Sequence, residues 1–174
     1  MRVATRPVPH AGLTDALDSG VIDFAFGFLP QVKETQRVQL LKDRYIVLLR
    51  KGHPFTRKRS TGKALLQDLQ KLEFVAVRTH ADTLRILQLL QLEERLRLTT
   101  EHFMVLPAIV KETDLAVIMP LNIAQGFAQE GGYAIVQPAF PLRDFAVSLH
   151  WSRRFETDPG NQWMRKVIVE TFKV

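Results

Sequence analysis

Two extended apolar segments, far apart in the chain, constrain its architecture more than any other feature. The first is Tyr45 to Leu49 (YIVLL), which runs into a Gly-His-Pro turn. The second is Tyr133 to Pro141 (YAIVQPAFP), which ends in prolines that a central strand cannot accommodate. We interpret both as strands that cross between two lobes. Two lobes joined in this way enclose a cleft, which is where a small ligand would bind.

Strands and helices alternate on both sides of the first crossover. Arg2 to Pro7 is predicted as a strand, and Gly12 to Ser19 as a helix. Val21 to Phe28 follows as a strand so apolar that it should be buried in a parallel sheet. Gln31 to Gln39 is predicted as a polar loop. Beyond the crossover, Glu73 to Val77 (EFVAV) is predicted as a short buried strand, so the alternation resumes.

The later helices have marked starting points. Asp82 is a candidate N-cap for a helix rich in leucine. Phe103 to Val110 (FMVLPAIV) is apolar on every side and should therefore be buried. The last helix is predicted to begin with Asp158 as its N-cap and Pro159 at its first position, and both Trp151 and Trp163 are expected in the core.

Composition excludes several kinds of site. The chain has no cysteine, so disulfides, thiolate nucleophiles and the common zinc sites are ruled out. Its 5 histidines lack metal-ligand spacing, and neither a metal nor a cofactor is expected. The net charge of +6 favours anionic partners such as a carboxylate ligand or nearby DNA. No signal peptide or membrane-spanning run is recognisable, so we expect a cytoplasmic location and no membrane partner.

Catalytic motifs find no support in the sequence. No serine stands in the G-x-S-x-G pattern of a nucleophile elbow. The pair Gly131-Gly132 ends a predicted helix, whereas a phosphate-binding loop would precede one. Glu112 and Asp114 are close in sequence, but they lie between a helix and a strand with no sign of a cleft. We predict that the chain is not an enzyme and has no catalytic residue.

Four segments together resemble a known family. LDSGVIDFAFGFLP, YIVLLRKGHPF, LPAIVKETDLAVIMPLNIA and FAVSLHWSRRFETDPGNQWMRKVI follow, in order and spacing, the effector-binding domain of LysR-type transcriptional regulators. The resemblance implies an α/β, periplasmic-binding-protein-like fold of type 2, with two Rossmann-like lobes joined by two crossover strands. Lobe I would comprise residues 1–45 and 142–174, and lobe II residues 46–141.

The resemblance also implies what a complete regulator would add. Members of the family carry an N-terminal winged helix-turn-helix and a linker helix, and their effector domain starts with one more strand and helix. We therefore expect an N-terminally truncated effector domain, with DNA contacted only through the missing winged helix-turn-helix. A homodimer or tetramer is expected, paired through the helices at Gly12 to Ser19 and Asn122 to Gln129.

By resemblance, the ends of strands that face the cleft should line it, and Arg78, Thr79 and His80 follow one such strand. The residues predicted to contact the effector are Phe28, Leu29, Thr79, His80, His102 and Phe103. The similarity is greatest to regulators of aromatic-compound degradation, where polar or histidine residues after the strand equivalent to EFVAV and at the start of the apolar helix contact an aromatic carboxylate. The imidazoles of His80 and His102 could donate hydrogen bonds to such an effector, and two phenylalanines could flank its ring.

Each of these residues also has a purely structural explanation. His80 could be exposed in a polar loop, and His102 could serve only to cap a helix. Phe28 and Phe103 could be core residues. His53, in the Gly-His-Pro turn, is interpreted as a turn residue at the hinge. The leading hypothesis is the small-molecule sensor of a bacterial transcriptional regulator; the alternative is a solute-binding protein that serves a transporter, and a small-molecule enzyme is third.

Overall fold

The structure is a computed structural model of the 174-residue chain. It describes residues 2–6, 11–30, 32–57, 62–78, 81–138, 140 and 142–172, and for residues 62, 63 and 81 it describes the backbone alone. The chain forms two compact units. Unit 1 comprises Met1–Asp43 and Asp144–Val174, and unit 2 comprises Arg44–Arg143.

Short strands and helices alternate along the chain. The strands are β1 (Ala25–Gly27), β2 (Gln36–Asp43), β3 (Tyr45–Arg50), β4 (Glu73–Val77), β5 (Leu96–Thr100), β6 (Leu115–Pro120), β7 (Tyr133–Val136) and β8 (Phe145–Trp151). The α-helices are α1 (Leu13–Asp18), α2 (Gly62–Asp68), α3 (Ala81–Leu89), α4 (Leu106–Glu112), α5 (Leu121–Gln129) and α6 (Pro159–Thr171). Single 3-10 turns span Pro54–Arg57, Leu69–Lys71, Glu93–Arg95, Phe103–Val105 and Arg153–Phe155.

Unit 1 contains an antiparallel sheet in the order β1-β8-β2. The prediction of a buried parallel strand from Val21 to Phe28 is wrong. Only Ala25–Gly27 pairs, its partner β8 is antiparallel, and the side chain of Phe26 is 62% exposed. The physical reason is position, because β1 forms an edge of this sheet and an edge strand is not enclosed on both sides.

The prediction of a polar loop from Gln31 to Gln39 is also wrong, because β2 begins at Gln36. Half-buried and exposed residues alternate along most of β2, which pairs with β8 from Gln36 opposite Trp151 to Asp43 opposite Phe145. At the start of the chain, residues 2–6 are exposed and form no strand, which contradicts the strand predicted from Arg2, and Pro7 lies outside the described residues.

Helix α6 confirms the start predicted for it. The Asp158 carboxylate accepts a hydrogen bond from the Asn161 N–H at 2.7 Å, and Pro159 is the first helical residue. The placement of Trp163 in the core is wrong, since its side chain is 54% exposed. The core placement of Trp151 is confirmed, and its Nε1 donates to a Glu156 carboxylate oxygen at 2.6 Å.

Unit 2 contains a sheet in the order β5-β4-β6-β3-β7. Strand β4 is parallel to β5 and β6, whereas β3 is antiparallel to both β6 and β7. These directions bring the ends of β4, β5, β6 and β7 and the start of β3 to the same side of the sheet. We call this side the carboxyl edge of unit 2 and define it by Tyr45, Val77, Thr100, Pro120 and Val136.

Helices cover both faces of this sheet, which explains the continuous apolar runs in its inner strands. Along β3, Val47 and Leu49 face a core that includes Leu87 of α3. Ile46 and Leu48 face the opposite core, which is formed with α4 and α5. All four β3 side chains are fully buried. The strand predicted at YIVLL is thus confirmed, but the interpretation that it crosses between two lobes is wrong, because it lies wholly within unit 2.

The far end of β3 overturns the interpretation of His53 as a hinge residue. The chain passes between the units at Asp43 and Arg44, before β3 begins. His53 follows the other end of that strand, where its imidazole is within 3.1 Å of the Asp114 carbonyl at the start of β6. His53 therefore anchors a turn inside unit 2, on the side of the sheet opposite the carboxyl edge.

Candidate functional site

The ends of β4 and β5 are held side by side at the carboxyl edge. Arg78 is the first residue beyond β4, and its N–H donates to the Thr100 carbonyl at 2.8 Å, which extends the strand pairing by one residue. The segments that leave the two strands therefore start from neighbouring points. In open α/β sheets, ligands bind where parallel strands end, so this edge is the candidate site.

Two of the predicted site residues, Thr79 and His80, lie outside the described residues. Helix α3 begins directly after them, at Ala81, so Asp82 lies in its first turn and the prediction of Asp82 as N-cap is wrong. The buried hydroxyl of Thr83 donates to the Ile118 carbonyl at 3.4 Å, which links the start of α3 to β6.

His102 is at the carboxyl edge, two residues after β5, and it is exposed. Its N–H donates to the Thr100 hydroxyl at 3.1 Å, and its carbonyl accepts from the Val105 N–H at 3.4 Å. The backbone is thus held in place, while the side chain makes no capping hydrogen bond to the 3-10 turn that follows. The explanation of His102 as a helix cap is therefore wrong.

The apolar segment after His102 divides between core and surface. Phe103 is half-buried and packs against the core that contains Leu106 and Val110. Met104, in contrast, is 75% exposed, and Val105 is exposed beside it. The expectation of burial throughout this segment is wrong, because of the three residues in the 3-10 turn only Phe103 packs against the core. Met104 was not a predicted site residue, because nothing in the apolar sequence around it indicates which side chains are exposed.

Phe28 and Leu29 follow β1 in unit 1. The ring of Phe28 lies 5.0 Å from that of Phe145, centroid to centroid, at an interplanar angle of 44°. Leu29 packs against a cluster formed by Leu13, Leu17 and Val32. Both side chains thus have structural roles. Of the six predicted residues, His102 and Phe103 lie together at the carboxyl edge of unit 2, and Phe28 and Leu29 lie together in unit 1.

Two kinds of feature are absent from the described residues. No group of three or more His, Asp or Glu side chains in them could hold a metal ion. Within the same ranges, no helix is long and apolar enough to cross a membrane.

Comparison with known proteins identifies the family. The family model described as the LysR substrate binding domain matches residues 1–173. The chain belongs to this family. Two curated relatives of this LysR domain are the HTH-type transcriptional activators NagR of Ralstonia sp., 32% identical over 94% of the chain, and NahR of Pseudomonas putida, 26% identical over 92%. The chain spans 55% and 54% of their respective lengths.

Solved structures of LysR-type regulators share the fold. The regulatory domain of MexT, a transcriptional activator in Pseudomonas aeruginosa, superposes with a TM-score of 0.71 at 20% identity, covering 92% of this chain and 80% of that one. The effector binding domain of QuiR in complex with shikimate gives a TM-score of 0.66 at 13% identity, covering 91% and 76%. The predicted periplasmic-binding-protein-like fold of type 2 is confirmed, and the curated relatives named above are transcriptional regulators.

Proposed function

We propose that this LysR substrate-binding domain senses a small organic carboxylate of the aromatic class. The observation that carries the proposal is the exposed imidazole of His102, held by its backbone at the carboxyl edge two residues before the exposed Met104. Imidazole can donate a hydrogen bond to a carboxylate or hydroxyl, and a thioether packs well against an aromatic ring. A planar acid with an apolar ring would satisfy both side chains at once.

The other predicted residues extend the site. As the family resemblance implies, Thr79, His80 and Phe103 of lobe II and Phe28 and Leu29 of lobe I would also contact the effector. The structural neighbour QuiR supports the carboxylate class, since its effector-binding domain is in complex with shikimate, which is itself a carboxylate. We include His80 in the proposal because it follows the end of β4 in sequence.

Effector binding would act on transcription through a DNA-binding domain elsewhere in the regulator. A ligand that prefers one arrangement of the lobes shifts the population toward that arrangement. In a homodimer or tetramer in the cytoplasm, this shift would alter how the DNA-binding domains are presented. The names of the curated relatives, which are transcriptional activators, favour this proposal over a solute-binding protein that serves a transporter.

A thermal-shift titration tests the proposal. Benzoate, phenylacetate and shikimate should raise the melting temperature of the chain in a concentration-dependent way if they bind the folded state. The variants His102→Ala and His80→Ala should lose most of the shift. Arg97→Gln is the matched control, because Arg97 is exposed on β5 and pairs at 2.7 Å with Glu73, which begins β4 on the side away from the carboxyl edge.

Two results would contradict the proposal. The first is a folded chain whose melting temperature none of these acids changes. The second is a full shift in the His102→Ala variant, which would mean that the acid binds away from the carboxyl edge.

A further inference from the structure

We propose that Arg78 supplies the positive charge by which the site distinguishes a carboxylate effector from its neutral analogues. This inference rests on the proposed function and adds to it the residue that recognises the anion. It starts from the position of Arg78 at the carboxyl edge, where the chain leaves β4, a strand with neighbours on both sides.

The backbone of Arg78 is fixed although its side chain is exposed. The N–H to Thr100 carbonyl bond of 2.8 Å holds the Arg78 main chain against the end of β5. The preceding residue, Val77, is buried in the core of unit 2. A long side chain that starts from a fixed point loses little backbone freedom when it binds a ligand, so more of the contact energy remains for affinity.

Three cations of unit 2 have carboxylate partners, whereas Arg78 has none among the described residues. Arg50 pairs with Asp114 at 2.7 Å, Arg97 pairs with Glu73, and Lys71 pairs with Asp68. Among the described residues, no ion pair within 4.0 Å joins Arg78 to a carboxylate. The guanidinium group is therefore available to an anion that arrives from outside.

Acidic residues on the adjoining segments offer a competing explanation for Arg78. Asp82 lies in the first turn of α3, and Glu101 follows β5, so both are close to Arg78 in sequence or pairing. A purely structural Arg78 would pair with one of them in solution. In that case replacement of Arg78 would lower the stability of the free chain and would leave ligand preference unchanged.

The chemistry of guanidinium favours a carboxylate over other small anions. Its planar fork of N–H donors matches the two oxygens of a carboxylate and can form two parallel charge-assisted hydrogen bonds. His102, which follows the neighbouring strand, can donate a further hydrogen bond, and Met104 offers an apolar surface. An amide of the same shape would lose the charge-assisted pair while keeping the apolar contact.

The test compares benzoate with its neutral analogue benzamide by calorimetric titration of the 174-residue chain. We expect the wild-type chain to bind benzoate at least about tenfold more tightly than benzamide. Arg78→Gln should weaken benzoate binding by about tenfold or more and change benzamide binding by less than about twofold. Arg78→Lys should restore part of the preference, because it keeps the charge and loses the fork.

Arg97→Gln is the matched control and should bind both compounds as the wild type does. The ligand-free melting temperature of Arg78→Gln should stay within about 2 °C of the wild type, because exposed positions contribute little to stability. Benzoate binding that Arg78→Gln leaves unchanged would overturn the role of Arg78 alone. Failure of benzoate to bind the wild-type chain would instead overturn the aromatic-carboxylate proposal, and the role of Arg78 with it.

Discussion

The Nε2 atom of His53 donates a hydrogen bond to the backbone carbonyl of Asp114 at 3.1 Å, across 61 residues of chain. The tautomer follows from the other ring nitrogen, because Nδ1 accepts from the Phe55 N–H at 3.0 Å and must therefore be unprotonated. The neighbouring Arg50 holds the Asp114 carboxylate at 2.7 Å. Together these contacts join the turn after β3 to the start of β6.

His53→Ala should destabilise unit 2 by about 2–4 kcal/mol, because it removes a buried ring and leaves two backbone groups without partners. Urea denaturation, with the free energy of unfolding extrapolated to water, measures the loss. His102→Ala is the control, since that imidazole is exposed, and should cost less than about 0.5 kcal/mol. Equal losses in the two variants would mean that the His53 contacts do not stabilise the fold.

His150 should make the stability of unit 1 depend on pH. Its ring is buried in β8, with Nδ1 2.9 Å from the Thr35 hydroxyl. Burial first, and then the charge of Arg37, lowers the pKa of His150 from the usual value near 6.5. The unfolded chain thus takes up a proton at a higher pH than the folded chain. Stability should be complete above about pH 6.5 and fall as the pH drops toward the lowered pKa.

Urea midpoints measured from pH 7.5 to 5.5 test this dependence on His150. The wild-type midpoint should fall with acidification, and His150→Gln should fall less steeply because the variant has no ring to protonate. The difference between the two curves isolates His150 from the other histidines, which both proteins share. Parallel curves would show that protonation of His150 does not affect the stability of the fold.

Glu156 connects the buried Trp151 to helix α6. Its Oε2 accepts from Trp151 Nε1 at 2.6 Å and from Arg165 Nη1 at 3.0 Å, while the Arg165 guanidinium lies 4.4 Å from the Trp151 ring centroid. Glu156→Gln should cost about 1 kcal/mol, because the site is partly exposed. A double-mutant cycle with Arg165→Ala should give a coupling energy of about 0.5–1 kcal/mol, and additive losses would refute the coupling.

The two tryptophans should respond differently to a polar fluorescence quencher. Trp151 is 8% exposed and Trp163 is 54% exposed, so iodide should quench the fluorescence of Trp163 strongly and that of Trp151 weakly. Trp163→Phe should remove most of the quenchable emission, whereas Trp151→Phe should leave it. Strong quenching in the Trp163→Phe variant would mean that Trp151 is accessible in solution.

The inner strands of unit 2 could be predicted from the sequence because they are buried on both faces. A strand between two helical layers must be apolar at every position, and EFVAV and YIVLL show this without reference to distant residues. Strands β2 and β5 were missed for the opposite reason. Their polar residues, as in LRLTT, are compatible with a half-exposed strand and also with a loop. Only pairing with another strand decides which of the two forms.

The sequence also could not predict the environment of side chains that depends on contacts between distant residues. Nothing near His53 in sequence indicates a bond to Asp114, and nothing around Trp163 indicates which apolar residues the fold leaves exposed. At the candidate site, His102 and Phe103 were indicated by the family resemblance, because they open the apolar segment FMVLPAIV. The exposure of Met104 and the fixed backbone of Arg78 depend on how the 3-10 turn and the β4-β5 pairing are built.

The direction of β3 has a mechanical consequence for signalling. Because β3 starts at the carboxyl edge, Arg44, the first residue of unit 2, lies there too, and its carbonyl accepts a hydrogen bond from the N–H of Leu121 at 2.8 Å. A ligand that displaces the strand ends would therefore also displace the link between Asp43 and Arg44, which joins the two units. The rest of the sheet would not have to move. The carboxyl edge would thus both contact the ligand and pass the displacement to the segment that joins the two units.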